Sequence, residues 1–254
     1  SILDYLNEGD LLVLNDTKVF KARLNATKVS GGKVEILLEK KLDEFSATAI
    51  TKSNRPLKES DLLLIKDSEF TAVIEEKNEY LCKINFSESL EKILDLCGSI
   101  PIPPYMKRDS SSIDLERYQT VYANEKKQRS SAAPTAGLHF DESLLSQIEG
   151  KGVDVAFITL DIGLGTFKPI SENDFSKHRM HSEEIYISES TAELINKKIK
   201  SQSRIVSVGT TTLRCLEAVY KQFGQIGPYQ GETDIFIYPG FSFEVVDSLI
   251  TNFH

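Results

Sequence analysis

Apolar residues fall along this chain in two regimes. Up to about residue 88 they come in short runs, at 11–14, 34–38, 47–50, 62–65, 70–74 and 80–86. Polar turns such as Lys66-Asp67-Ser68 and Glu76-Lys77-Asn78 separate them. The first run stops at Asn15-Asp16, a turn pair. Gly31-Gly32, between 26–29 and 34–38, predicts a hairpin with a two-residue loop. Short strands at regular spacing predict a small antiparallel barrel or sandwich over about residues 15–88.

Beyond that point the pattern changes. A short helix is predicted over 89–96, ended by Gly98. Ile100-Pro101-Ile102-Pro103-Pro104-Tyr105 cannot be helical, because proline removes a donor and restricts its neighbour. The stretch 107–112 is polar, and 115–122 reads as a further helix. From Ala132 onward helices and strands alternate. Asp141 is a fitting N-cap for a helix carrying Leu144, Leu145 and Ile148, ended by Gly150 and Gly152. A strand follows over 153–161. Ser190-Thr191-Ala192-Glu193 has capping-box form and opens a helix with Ile195 and Ile199. A strand over 204–208, Gly209-Thr210-Thr211-Thr212, a helix over 213–223 and a strand over 234–238 complete the pattern. Such alternation predicts a mainly parallel sheet flanked by helices.

Composition narrows the class. The chain has 254 residues, 40% hydrophobic and 27% charged, so it carries enough apolar surface for a packed core. No run approaches the ~18 apolar residues of a spanning helix, so no membrane helix is expected. The first residues, Ser1-Ile2-Leu3-Asp4, lack a basic and an apolar region, so they do not read as a signal peptide. Without an initiator Met, and with Thr251-Asn252-Phe253-His254 as an abrupt end, the sequence is expected to be a piece of a longer chain. Thirty basic against 38 acidic residues give −8, which argues against sequence-independent wrapping of nucleic acid but allows a local basic groove. Cys82, Cys97 and Cys215 form no CxxC pair and read as plain thiols of a reducing cytoplasm.

GxSxG, Walker A and HExxH motifs are absent. Gly163-Leu164-Gly165-Thr166-Phe167-Lys168 begins like a dinucleotide fingerprint, but the third glycine is missing and Pro169 interrupts the helix. Gly163 and Gly165 therefore mark either a tight turn or a close ligand approach at a strand's carboxyl end. Val208-Gly209-Thr210-Thr211-Thr212 with Arg214 reads as an anion site at a helix start, or as a threonine-capped helix with a solvated arginine. Ala132-Ala133-Pro134-Thr135-Ala136-Gly137-Leu138-His139-Phe140 is rich in small residues that let a flat ligand reach the backbone. His139 within it is either a proton-transfer group or a structural histidine. His178 and His181, followed by Glu183, have i, i+3 spacing, but a full ligand set is lacking and no metal is expected. Asn15-Asp16-Thr17-Lys18-Val19 fits an Asx turn, which leaves Arg23 on the following strand unexplained. Basic residues Lys18, Lys21, Arg23, Lys28 and Lys33, with Lys126, Lys127 and Arg129, are either solvated faces or phosphate contacts on RNA.

Taken in order, several of these stretches resemble one family, the S-adenosylmethionine:tRNA ribosyltransferase-isomerases of queuosine biosynthesis. They are Asn15 to Val19 with Ala22-Arg23, Gly31 to Glu35, Pro101 to Tyr105, Tyr118 to Tyr122, Ala132 to Phe140, Gly163 to Phe167, Met180 to Glu183, Val208 to Thr211, Asp234 to Gly240 and Thr251 to His254. The nine residues from Ala132 to Phe140 are the most specific. Asp161 departs from the histidine found in many members, so no catalytic role is carried onto it.

The resemblance implies an α/β fold: a mainly parallel sheet with flanking helices plus an inserted antiparallel β-barrel. On the chain's own pattern the barrel is expected over 15–88 and the α/β domain over 1–14 and 89–254. The resemblance also implies a reaction. The ribosyl part of S-adenosylmethionine is moved onto 7-aminomethyl-7-deazaguanine at the wobble position of a tRNA anticodon. The ribose is isomerised, giving epoxyqueuosine, and adenine and methionine are released. S-adenosylmethionine is then a consumed substrate, and neither a separate cofactor nor a metal is implied. Such chemistry needs a group titrating near neutrality, an acid and exclusion of water. His139 or His181 is expected to move protons, with Asp16 orienting a ribose or an amine. Arg23 or Arg214 is expected to hold a carboxylate or phosphate. Thr135, Gly137, Gly163, Gly165, Thr166, Gly209 and Thr210 are expected to line the substrate pocket. The expected setting is a cytoplasmic monomer acting on tRNA, with no membrane contact. Two alternatives are another S-adenosylmethionine-dependent transferase, such as a methyltransferase, and a non-catalytic RNA-binding module. The incomplete glycine fingerprint weighs against the first, and the charge of −8 with no RNP-type aromatic cluster against the second.

Overall fold

The computed structural model describes residues 1–78, 81–103, 106, 108, 110–111, 113–163 and 182–252, with backbone alone at 127–129. In chain order the strands are β1 (Leu11–Asn15), β2 (Lys18–Val19), β3 (Arg23–Lys28), β4 (Lys33–Lys41), β5 (Ser46–Ser53), β6 (Leu62–Ile65), β7 (Thr71–Lys77) and β8 (Cys82–Phe86). They continue with β9 (Gln128–Ser130), β10 (Asp154–Leu160), β11 (Glu183–Ile187), β12 (Ile205–Val208), β13 (Tyr229–Thr233) and β14 (Ser248–Ile250). The helices are α1 (Leu90–Cys97), α2 (Asp114–Arg117), α3 (Glu142–Gly150), α4 (Glu189–Lys200) and α5 (Thr210–Phe223). The chain divides into two compact units, one formed by residues 1–18 and 117–254, the other by Val19–Glu116. The fold is an α/β sheet with flanking helices and a closed antiparallel barrel.

In the Val19–Glu116 unit, the six strands β3-β4-β5-β8-β7-β6 close on themselves, so no strand edge is left unpaired. Period-two alternation explains the closure. Leu24, Ile36, Leu38, Leu63, Ile65, Ile74 and Ile84 point inward and are buried, and α1 adds Leu90 and Ile93 to the same core. The β3–β4 hairpin has four loop residues rather than two. Gly31, at φ +87°, donates its N–H to Lys28 O at 2.8 Å, so the turn closes earlier than the glycine pair indicates. The 115–122 helix is one turn only, Asp114–Arg117.

That turn begins with a tight ion cluster. Asp114 accepts from both terminal nitrogens of Arg108 at 2.7 Å each, and from Ser111 N at 2.7 Å and Oγ at 3.1 Å. The Arg108 guanidinium, with the Ser111 N–H, holds the Asp114 carboxyl well below the usual carboxylate range. Its folded value thus lies below the unfolded one of about 3.9. The stabilisation is present above that value and is lost as pH falls toward the folded one. In thermal unfolding, the gap between wild type and Asp114→Asn should be full at pH 7 and shrink between about pH 4 and pH 2. Parallel Tm curves across that window would exclude it.

In the other unit, the sheet order is β13-β11-β10-β1-β12-β14. β1 is parallel to β10 and β12, and β12 to β14, whereas β11 runs antiparallel to both β10 and β13. Every residue of β1 is buried, as a central strand covered on both faces requires. Leu11, Val13, Ile158, Leu160 and Ile205 pack beneath residues of α4 and α5, such as Ile195, Leu213 and Leu216. Leu12, Leu14, Val206 and Val208 pack on the opposite side with Ile148 of α3, Ala136 and Phe140. Asp141 does cap α3, accepting from Leu144 N at 2.7 Å. α4 starts earlier than its capping-box pattern indicates, with Ser188 accepting from Thr191 N at 3.2 Å. The strand expected at 234–238 is irregular chain. Its neighbour β11 begins at Glu183, which already pairs with Thr233, so Asp234 has no partner in the ladder. No described helix is long and apolar enough to cross a membrane.

Candidate active site

β1, β10, β12 and β14 point the same way, and β13, two antiparallel steps from β10, joins them. Their carboxyl ends form one edge, where open α/β sheets take their ligands. Asn15 closes this edge. Its side chain donates to Leu160 O at 2.9 Å and accepts from Leu160 N at 3.0 Å and Thr17 N at 3.1 Å, the expected Asx turn extended to β10. The next residue, Asp16, is 6% exposed, and its carboxylate accepts from Thr159 Oγ1 at 2.6 Å and Asn124 Nδ2 at 3.4 Å. Thr17 Oγ1 donates to Asp161 at 2.6 Å, which turns Asp161 into a support for this loop. An open cleft of about 400 Å³ adjoins the edge and is lined by Thr159, Asp161, Glu184, Tyr186 and Glu232 among others.

The small-residue stretch forms a 3-10 turn, Thr135–His139. A Cβ built on Gly209 would stand 3.8 Å from Ala136 Cβ, so this turn abuts the start of α5. Gly209 has φ +88° and ψ 150°, a conformation essentially restricted to glycine. Thr210 already lies in the helix, and among the described residues no side-chain cap closes its start. Thr212 Oγ1 bonds back to Val208 O at 2.8 Å instead. The first N–H groups of α5 therefore keep their positive end for a ligand. His139 is exposed and its Nε2 lies 3.1 Å from Asn252 Oδ1, just beyond β14.

Beneath the turn sits Tyr122. Its ring packs on Phe157 with centroids 5.5 Å apart. Its hydroxyl would stand 2.0 Å from a Cβ on Gly137, with Thr120 Cγ2 at 3.0 Å. The glycine thus makes room for a phenol of the same chain. The buried Tyr122 hydroxyl and Thr120 Oγ1 face each other and meet no further polar partner among the described residues. Burial pushes the phenol well above its ordinary value, and the Asp16 charge adds to this, so Tyr122 stays protonated as a donor.

Arg214, one turn into α5, pairs through Nη1 with the buried Glu183 carboxylate at the head of β11 and donates from Nε to Ile235 O at 3.0 Å. Its Nη2 is buried without a partner among the described residues. The arginine is neither solvated nor simply free for an anion; it ties α5 to β11, with one donor to spare.

The edge therefore brings together Asp16, Thr135, Gly137, His139, Gly209 and Thr210, with Arg214 one turn beyond. Gly163 lies three residues past β10, and no described residue comes within 4 Å of where its Cβ would be. Arg23 belongs to the barrel unit, where Nη2 donates to Ile102 O at 3.2 Å and Nε stands 3.8 Å from Glu35. His181, Gly165 and Thr166, like His178, lie outside the described residues. Among the described residues no cluster of His, Cys, Asp or Glu is arranged to hold a metal ion. Tyr122, Glu183 and Asn252 stand in stretches that carry the family resemblance but had no role assigned to them, and Asn124 and Thr159 were not singled out by any motif.

An α/β sheet whose carboxyl edge combines a buried carboxylate, a glycine-led helix start and a histidine turn, on a chain that also builds a closed barrel, has the form of an enzyme that binds a small-molecule substrate at a sheet edge. The sequence model of one family, described as queuosine biosynthesis protein, matches residues 1–254, and the chain belongs to that family. Similar curated relatives bear out the family. The S-adenosylmethionine:tRNA ribosyltransferase-isomerase of Acinetobacter baylyi is 46% identical over 254 residues, covering 100% of this chain and 74% of its own length. That of Francisella philomiragia is 45% identical over 253 residues, covering 99% of this chain and 74% of its own. A crystal structure of the S-adenosylmethionine tRNA ribosyltransferase from Thermotoga maritima is 30% identical, with a TM-score of 0.44, over 100% of this chain and 70% of that one.

Proposed function

We propose that this chain transfers the ribosyl part of S-adenosylmethionine to 7-aminomethyl-7-deazaguanine at the wobble position of a tRNA and isomerises it to epoxyqueuosine, releasing adenine and methionine. The observation that carries the reading is the shared edge. Asp16, the Thr135–His139 turn and the uncapped start of α5 stand at the carboxyl ends of β1, β10 and β12. S-adenosylmethionine is consumed, with no separate cofactor. The enzyme works as a cytoplasmic monomer with tRNA as its macromolecular partner.

Each group suits a demand of the chemistry. A sulfonium acidifies the adjacent ribose carbon, so a base there opens the ring and adenine departs. His139, exposed and oriented by Asn252, is a proton carrier within reach of solvent. Asp16, fixed by Thr159 and Asn124, orients the ribose or the attacking amine. The helix start takes a carboxylate. The target base sits in an unpaired loop, so splaying it outward costs little.

Incubation with S-adenosylmethionine and tRNA bearing the aminomethyl base should release adenine and methionine in step with epoxyqueuosine. S-adenosylhomocysteine as the product would identify a methyltransferase instead. His139→Ala should lower turnover by roughly 10²–10⁴ if it is the proton carrier. Full turnover in both His139→Ala and His181→Ala would overturn that assignment.

A further inference from the structure

Between β13 and β14 the chain carries four rings on an irregular loop. Phe236 and Tyr238 stand with centroids 5.9 Å apart, tilted by 33°, and Phe241 and Phe243 5.1 Å apart, tilted by 57°. Gly240, at φ +99° after Pro239, turns the chain between the pairs. Tyr238 remains 46% and Phe243 50% exposed. The Lys221 ammonium lies 5.4 Å from the Phe241 ring centroid.

Both stems of the loop are fastened. Arg214 Nε holds Ile235 O at 3.0 Å. At the other end, the buried Glu217 carboxylate accepts from the N–H groups of Glu244, Val245 and Val246 at 2.9–3.0 Å. A loop with anchored stems and open rings presents those rings to a partner.

We propose that this loop is a stacking platform for the unpaired bases of an RNA loop. The inference rests on the reading of tRNA as substrate and adds where its neighbouring bases lie. Flat rings with the Lys221 ammonium beside them match an alternation of base and phosphate. The loop leaves the carboxyl end of β13, where Ile235 O accepts from Arg214, so its stem starts at the edge that carries the candidate site. The ammonium beside Phe241 favours a polyanion over an apolar protein segment on the same rings.

A synthetic anticodon-type RNA hairpin with 2-aminopurine in its loop tests this by fluorescence quenching and titration. Tyr238→Ala and Phe243→Ala should each weaken hairpin binding about tenfold and reduce the quench, whereas Tyr238→Phe should stay within about twofold. Lys221→Gln should lessen the salt dependence by about one phosphate contact. These positions are surface rings and a surface lysine, so unfolding curves should match wild type. Alanine variants that bind and quench like wild type overturn the platform while leaving the ribosyl-transfer assay intact. Equal wild-type affinity for a fully paired duplex also overturns it. A wild-type protein that takes up S-adenosylmethionine but no hairpin overturns the tRNA reading itself.

Discussion

Arg214→Met is expected to lower the unfolding free energy by about 3–5 kcal/mol. The side chain joins α5 to β11 through Glu183 and to the loop after β13 through Ile235 O. Its removal takes the Arg214 cation from a carboxylate that is only 3% exposed, which is costly in surroundings this dry. Because the penalty belongs to the buried charge that loses Arg214 and not to the pair as such, replacing both partners with apolar residues should restore much of the loss. Urea unfolding of Arg214→Met, Glu183→Leu and the double variant gives the coupling directly. A loss below about 1 kcal/mol in Arg214→Met would show that the pair is effectively solvated. The same variant should displace β11, and with it the cleft lined by Glu184 and Tyr186.

Gly137→Ala is expected to destabilise by about 1–3 kcal/mol, because its Cβ would meet the Tyr122 hydroxyl at 2.0 Å in packed surroundings. The phenol cannot simply retreat, since its ring packs on Phe157. Tyr122→Phe removes the oxygen in conflict, and the ring carbon then left nearest stands at 3.1 Å. Gly137→Ala combined with Tyr122→Phe should therefore recover most of the lost stability. Additive losses in the double variant would show that the glycine answers to something other than Tyr122. Activity should separate the two roles of the phenol. If its proton is needed only for packing, Tyr122→Phe keeps turnover. If substrate accepts from this hydroxyl, turnover falls even though stability does not.

Much of the architecture was readable because it rests on local periodicity. Alternation over 24–26, 34–38 and 82–86 marks one face of a strand, and closure follows once six such strands must cover one core. The all-apolar stretch of β1 marks a strand buried on both sides. The loop at 234–238 was misjudged for a non-local reason. Its residues have strand character, but whether a strand forms depends on a partner, and the described part of β11 begins at Glu183 opposite Thr233. The Ser188 cap was missed because Ser190 offers an equally good local pattern, and packing of Ala192 and Ile195 on the sheet selects the register.

For the site, residue types and their order along the chain were enough to mark Asp16, the stretch from Ala132 to Phe140 and the turn at Gly209, since each lies in a short motif that also carries the family resemblance. What those residues touch was decided elsewhere. Tyr122 against Gly137, Asn252 against His139, Thr159 on Asp16 and Glu183 on Arg214 are contacts between positions from 15 to 143 residues apart. A linear pattern records which face of its own strand or helix a residue occupies. Only the packed sheet determines which other element stands opposite, because that depends on strand order and register over the whole chain.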